Sequence, residues 1–128
     1  MTSIEVPYSI AAALPTLSVI DITNEVAKAV ASDGRVEGIA YVHGVPATSV
    51  VRIQERETGF FEDLELLLER IVPSGTASRE RVLSALLGPR TEAVPFRESC
   101  LCLGTWQRIL LFSLDAEHRG DWSLTLLA

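Results

Sequence analysis

Residues 100–114 run Cys-Leu-Cys-Leu-Gly-Thr-Trp-Gln-Arg-Ile-Leu-Leu-Phe-Ser-Leu, with long apolar stretches on both alternating faces. A strand patterned this way is covered on both sides, so the rest of the chain must supply a layer for each face. Gly104 marks an expected interruption or bulge. The strongest covering element is a helix predicted over 59–72, where Phe60, Phe61, Leu64, Leu67, Leu68 and Ile71 recur at helical spacing and are expected to face a core. Glu62 and Asp63 in its first turn and Arg70 in its last suit the helix dipole, and Pro73 ends it. A shorter helix is expected over 78–87, with Ser78 as cap, Val82, Leu83, Leu86 and Leu87 inward, and Gly88-Pro89 as its stop.

The remaining elements are shorter. Strands are predicted over 3–10 and 17–22, joined through 11–15. Thr23 then caps a helix over 24–32, with Ile22, Val26 and Val30 on one stripe and Gly34 as its stop. A strand over 36–42 leads into a turn at His43-Gly-Val-Pro46, and a second strand follows over 49–54. In that strand Val51 and Ile53 face one way, Arg52 and Gln54 the other. A turn around Pro95 precedes the long strand, and 122–127 forms the last one. Strands and helices in this mixed order indicate an α+β fold. With 128 residues and no repeat or linker-like stretch, a single domain over 1–128 is expected.

Charge narrows the partners. The chain carries 17 acidic and 11 basic side chains, a net charge of −6, which disfavours nucleic acid because phosphate contact requires a basic surface. The first 70 residues hold 11 acids and 5 bases, and the remainder 6 of each, so a local basic patch is confined to the second half. No apolar run reaches the ~18 residues of a membrane span, and the opening Met-Thr-Ser-Ile-Glu lacks a secretory leader pattern. A cytoplasmic protein without membrane contact is expected. Cys100 and Cys102 are too far apart along a strand for an easy disulfide and have poor zinc spacing, so buried thiols are expected.

General catalytic templates are absent: there is no glycine-rich phosphate loop, G-x-S-x-G or H-E-x-x-H. Two histidines, His43 and His118, do not make a three-histidine metal site. No metal and no cofactor is expected. What stands out is Thr105, Trp106 and Gln107 inside an apolar strand. Either they bond neighbouring backbone at a bulge, or they form a small polar pocket floor with Trp106 as a wall.

That segment carries a resemblance. Gly104-Thr-Trp-Gln107 resembles the G-T-W-Q signature of the secondary thiamine-phosphate synthase family, the YjbQ-like proteins. In the same order, Asp21-Ile-Thr-Asn-Glu25 resembles the family's I-T-D-E, Ile53-Gln-Glu55 its I-N-E, residues 62–73 its D-L-x-x-x-L-E-x-x-V-P, and Leu86-Leu-Gly-Pro89 its L-L-G-P. The resemblance implies a mixed, largely antiparallel sheet, barrel-like or sandwiched, with two or three helices, assembled as a homotrimer. It also implies a site of clustered histidines and a possible thiamine-phosphate synthase side activity.

The family's histidines are missing here. Its H-T-T reads Pro46-Ala-Thr48, its Y-R-H loop is shortened to Ser74-Gly-Thr-Ala, and its N-x-D-A-H becomes Ala77-Ser-Arg-Glu-Arg81. Its E-F-D-G-P-R ending reads Ser113-Leu-Asp-Ala-Glu-His118. Arginine has no lone pair to give a metal. His43 and His118 are expected in turns and at the surface. The leading expectation is a non-catalytic trimeric structural or binding module with a degenerate site. The alternative is an enzyme of altered mechanism acting on a phosphorylated or carboxylated small molecule. There Arg52, Thr48, Arg81, Thr105, Trp106 and Gln107 bind the anion and Glu55 acts as acid or base. Arg81 paired with Glu55, or both arginines solvated, is the plainer outcome for those side chains.

Overall fold

A computed structural model describes residues 10–46, 48–88, 90–115 and 120–128. Its elements are β1 (Ile10–Ala13), β2 (Ser18–Asp21), α1 (Thr23–Asp33), β3 (Glu37–Val45), β4 (Ser49–Gln54), α2 (Thr58–Ile71) and α3 (Arg79–Leu87). They continue with β5 (Thr91–Arg97), β6 (Cys100–Leu101), β7 (Arg108–Ser113) and β8 (Asp121–Leu127). Sheet A has the order β1-β2-β7-β4 and sheet B the order β6-β5-β3-β8. Every ladder among the described residues is antiparallel. This is the α+β fold expected, its sheets antiparallel among the described residues.

β7 explains the layering. Its side chains are buried on both faces, and alternate residues enter two different cores. Leu110 and Phe112 pack with Val19 and Val50 of sheet A beneath Phe61 and Leu68 of α2 and Leu83 of α3. Ile109 and Leu111 pack with Val51 against Ala40, Val42, Val94 and Phe96 of sheet B and Val26 and Val30 of α1. Sheet A therefore lies between a helical layer and sheet B, and the two-sided covering expected for the strand holds over β7.

The stretch 100–114 is nevertheless not one strand. β6 pairs with β5 in sheet B, whereas β7 lies between β2 and β4 in sheet A. The segment changes sheets at Gly104–Gln107, where Gln107 N–H donates to the Gly104 carbonyl at 3.1 Å. An apolar pattern on both faces does not distinguish one long strand from two short ones in different sheets. The turn placed at Pro95 is also corrected: Pro95 lies inside β5, opposite Ile39 of β3. Both polar groups of an antiparallel residue point to the same neighbour. Pro95 O accepts from Cys102 N–H at 2.8 Å, so its missing N–H faces the β6 side and spares the β3 ladder. The real turn is Glu98-Ser99, both with positive φ (53° and 60°), a two-residue hairpin loop made without the usual glycine.

Other boundaries move for local reasons. His43, Gly44 and Val45 belong to β3 and not to a turn; the turn falls later, where Ser49 N–H donates to the Pro46 carbonyl at 2.9 Å. β1 occupies part of the 11–15 connection, and the predicted strand over 3–10 lies, apart from Ile10, outside the described residues. Thr23 does not cap α1; it begins the helix, and its hydroxyl is engaged elsewhere. Gly34 ends α1 at φ 86°, a conformation that glycine adopts without penalty. Glu57 caps α2, its carboxylate accepting from Gly59 and Phe60 N–H at 2.8 and 2.7 Å. Ser78 precedes α3 without a side-chain cap bond.

The helix faces are narrower than expected. Phe61 and Leu68 of α2 and Leu83 of α3 are buried, but Leu67 and Ile71 (51% and 54% exposed) and Val82 and Leu86 (41% and 59%) are not. A helix resting on one sheet face buries a stripe, and the flanking apolar positions stay at the surface.

Candidate functional site

Three of the segments that carry the family resemblance meet at one end of sheet A. Asp21 closes β2, Gln54 closes β4, and Arg108 opens β7 directly opposite Gln54. The Gly104–Gln107 turn precedes Arg108, and Glu55 and Arg56 follow Gln54. Chain topology alone thus gathers Asp21, Thr23, Glu55, Arg56 and the G-T-W-Q turn.

Asp21 is the hub. Its side chain is only 2% exposed. One carboxylate oxygen accepts from Thr23 N–H at 3.0 Å and from Thr23 Oγ1 at 2.6 Å. The other accepts from Arg108 Nε at 2.8 Å and Arg56 Nη1 at 3.4 Å. Thr23 Oγ1 in turn accepts from Ile109 N–H at 2.8 Å, and Arg108 Nη2 reaches Asn24 Oδ1 at 3.4 Å. Burial by itself raises the Asp21 pKa, but the hydrogen bonds from Arg108 and Thr23 outweigh it and hold the carboxyl below its ordinary value. The network ties the end of β2, the start of α1 and the start of β7 into one unit.

The G-T-W-Q segment is an exposed turn and not a buried strand. Gln107 Oε1 accepts from Gly104 N–H at 2.7 Å, closing the turn on itself. Trp106 is 73% exposed and Thr105 is exposed. The bulge alternative, in which these polar groups bond local backbone, describes Gln107; the buried pocket floor is not formed in the single chain. Glu55 is exposed in the connection between β4 and α2.

The two arginines of the expected anion site are not brought together. Arg52 extends over the helical side of sheet A and donates to the carbonyls of Leu87 and, at 3.3 Å, Gly88, where α3 ends, as well as to Val51 O at 2.8 Å. Arg81 lies in the first turn of the same helix, exposed, and donates to Ser78 Oγ at 2.8 Å. About 9 Å of helix separates those two turns. Thr48 is at the opposite end of β4 from Glu55, roughly 20 Å away along the strand; its carbonyl accepts from Leu114 N–H at 2.9 Å.

His43 is half-buried on β3, its Nδ1 2.6 Å from Thr91 Oγ1. This corrects its placement as a turn residue. His118 lies outside the described residues. Cys100 and Cys102 are free and exposed, contrary to the expected buried thiols: Cys100 lies on β6, the edge strand of sheet B, and Cys102 just past its end. Among the described residues no group of three His, Cys, Asp or Glu side chains is placed to hold a metal ion. The Asp21 network was missed as a unit. Its signal was an Asp ending an apolar strand, Thr two residues on, and an Arg flanking the central strand.

The UPF0047 protein YjbQ-like family pattern matches residues 12–127. A UPF0047 protein of Archaeoglobus fulgidus is 33% identical over 107 residues, covering 77% of this chain and 82% of the relative. One of Methanothermobacter thermautotrophicus is 32% identical, covering 77% and 75%. A crystal structure of an uncharacterised conserved YjbQ/UPF0047 protein from Clostridium acetobutylicum superimposes with a TM-score of 0.77 at 25% identity, over 89% of this chain and 94% of that one. A hypothetical protein from Aeropyrum pernix K1 gives 0.78 at 25% identity, over 89% and 91%. The chain belongs to the YjbQ-like UPF0047 family, an uncharacterised family with this α+β fold. No helix among the described residues is long and apolar enough to cross a membrane.

Proposed function

We propose that this protein is a non-catalytic, homotrimeric binding or structural module of the cytoplasm, built on a YjbQ-like scaffold whose histidine-based site is degenerate. The observation that carries this reading is how the polar side chains at the motif positions are used. Arg52 holds the end of α3, Gln107 closes its own turn, and Asp21 holds Thr23, Arg56 and Arg108. Pro46 and Arg81 stand where the family resemblance places histidine. The outer face of sheet B supports assembly: Ile39, Val45 and Leu127 lie exposed on it beside Pro95. Two exposed free thiols suit a reducing compartment.

Elemental analysis of the purified protein tests the degenerate site. Far less than one transition-metal ion per chain is expected; a stoichiometric metal overturns the reading.

One observation favours the alternative, an enzyme of altered mechanism acting on a small phosphorylated or carboxylated molecule. Glu55 and the exposed Thr105-Trp106 pair share one end of sheet A. On that reading Glu55→Gln abolishes any thiamine-phosphate-forming side activity. On the non-catalytic reading there is no activity for the substitution to change.

A further inference from the structure

The helix-side core is not filled to its edge. A half-open cavity of about 170 Å³ lies between α2, the end of α3 and sheet A. Its floor is buried and apolar, formed by Val50, Leu68 and Phe112, and its rim is half-buried, formed by Phe60, Leu64 and Leu87. Two polar residues border it. Arg52 is bound to the carbonyls of Leu87 and Gly88 and so stiffens the wall. Gln54 is exposed and offers a carboxamide at the mouth.

Protein interiors are close-packed, and voids well above the size of a water molecule are few. An apolar lining suits water poorly, because a bound water needs two to four polar partners, whereas an apolar cavity of roughly 150 Å³ takes up benzene. The aromatic content of the walls narrows the class further. Phe60 and Phe112 both pack on Phe61, with ring centroids 5.5 and 6.0 Å apart and the second pair edge-on. A ring entering between Phe60 and Phe112 extends that edge-to-face arrangement.

We propose that this cavity binds a small aromatic molecule with one hydroxyl or carbonyl group, its ring against Phe60, Leu64 and Phe112 and its polar group at the Gln54 carboxamide. The site is lined by residues of one chain and needs no metal, so its failure leaves the reading of the preceding section standing, and the reverse also holds.

The test is a methyl NMR titration of the full chain with phenol and with benzene. Saturable shifts are expected at the Val50, Leu64 and Leu68 methyls with both probes. Phenol is expected to bind up to about tenfold tighter, the worth of one good hydrogen bond. Gln54→Leu removes that preference while leaving benzene binding intact. Leu64→Trp fills the cavity and abolishes both titrations; should that variant not fold, Leu64→Phe must weaken both. Unsaturable shifts spread over surface methyls such as Leu66 and Leu86, equal affinities for the two probes, or wild-type binding in a folded Leu64→Trp variant would each overturn the proposal.

Discussion

At the scale of single residues, Asp21 matters most to the scaffold. It is a nearly inaccessible carboxylate that receives two bonds from Thr23 and one each from Arg56 and Arg108. Asp21→Asn removes the charge from a site whose donors are arranged for it, so a loss of about 2–3 kcal/mol in urea denaturation is expected. The pH dependence follows from the direction of the shift. The folded-state pKa is lowered from 3.8, so this contribution is fully present above that value. It is lost as pH falls through 3.8 toward the folded-state pKa. The stability gap between wild type and Asp21→Asn should therefore be constant near neutrality and close as pH falls below 3.8; a gap that widens in acid contradicts the assignment. The residue types were legible in the sequence, since Asp21, Thr23 and Arg108 all lie in recognisable motifs. Their meeting was not, because it depends on β2 and β7 being neighbours in one sheet.

At the scale of elements, α3 depends on a side chain from the sheet beneath it. A helix leaves its last carbonyls without intrahelical partners, and Arg52 from β4 meets those of Leu87 and Gly88. Arg52→Met keeps the apolar stem and removes the donors. The expected cost is about 1.5–3 kcal/mol, typical of bonds to a charged group. Hydrogen exchange should quicken through α3 while β7 stays protected, whereas uniform acceleration would point to global loss instead. The anion site expected of Arg52 pairs it with Arg81; in the structure Arg52 meets the end of α3 and Arg81 its first turn. Element boundaries show the same division. β4 was read to the residue because its alternation is clean and its flanks are polar. Gly104 marks the interruption of 100–114 correctly, but nothing local in Leu103-Gly-Thr-Trp says that the two halves pair in different sheets. Likewise, Leu67, Ile71, Val82 and Leu86 fit a helical stripe by spacing, but spacing does not report how wide a face the sheet covers.

At the scale of the whole molecule, the two-sided burial of β7 divides the chain into three layers, and this was the most legible feature of the sequence. The helical layer and sheet B each present a second face. On sheet B that face carries Ile39, Val45 and Leu127, with Leu127 58% exposed. Exposed apolar sheet surface of this kind is what a subunit interface covers. The family resemblance places histidine where this chain has Pro46 and Arg81. The proposal of a trimeric scaffold with a degenerate histidine-based site rests on that exposed face and on those missing histidines. Native mass spectrometry of the purified protein at micromolar concentration tests this account most directly, since one spectrum reports both assembly and bound metal. The account predicts a species at three times the 14.0 kDa chain mass with no added metal; a monomer, or a trimer carrying one transition-metal ion per chain, would contradict it.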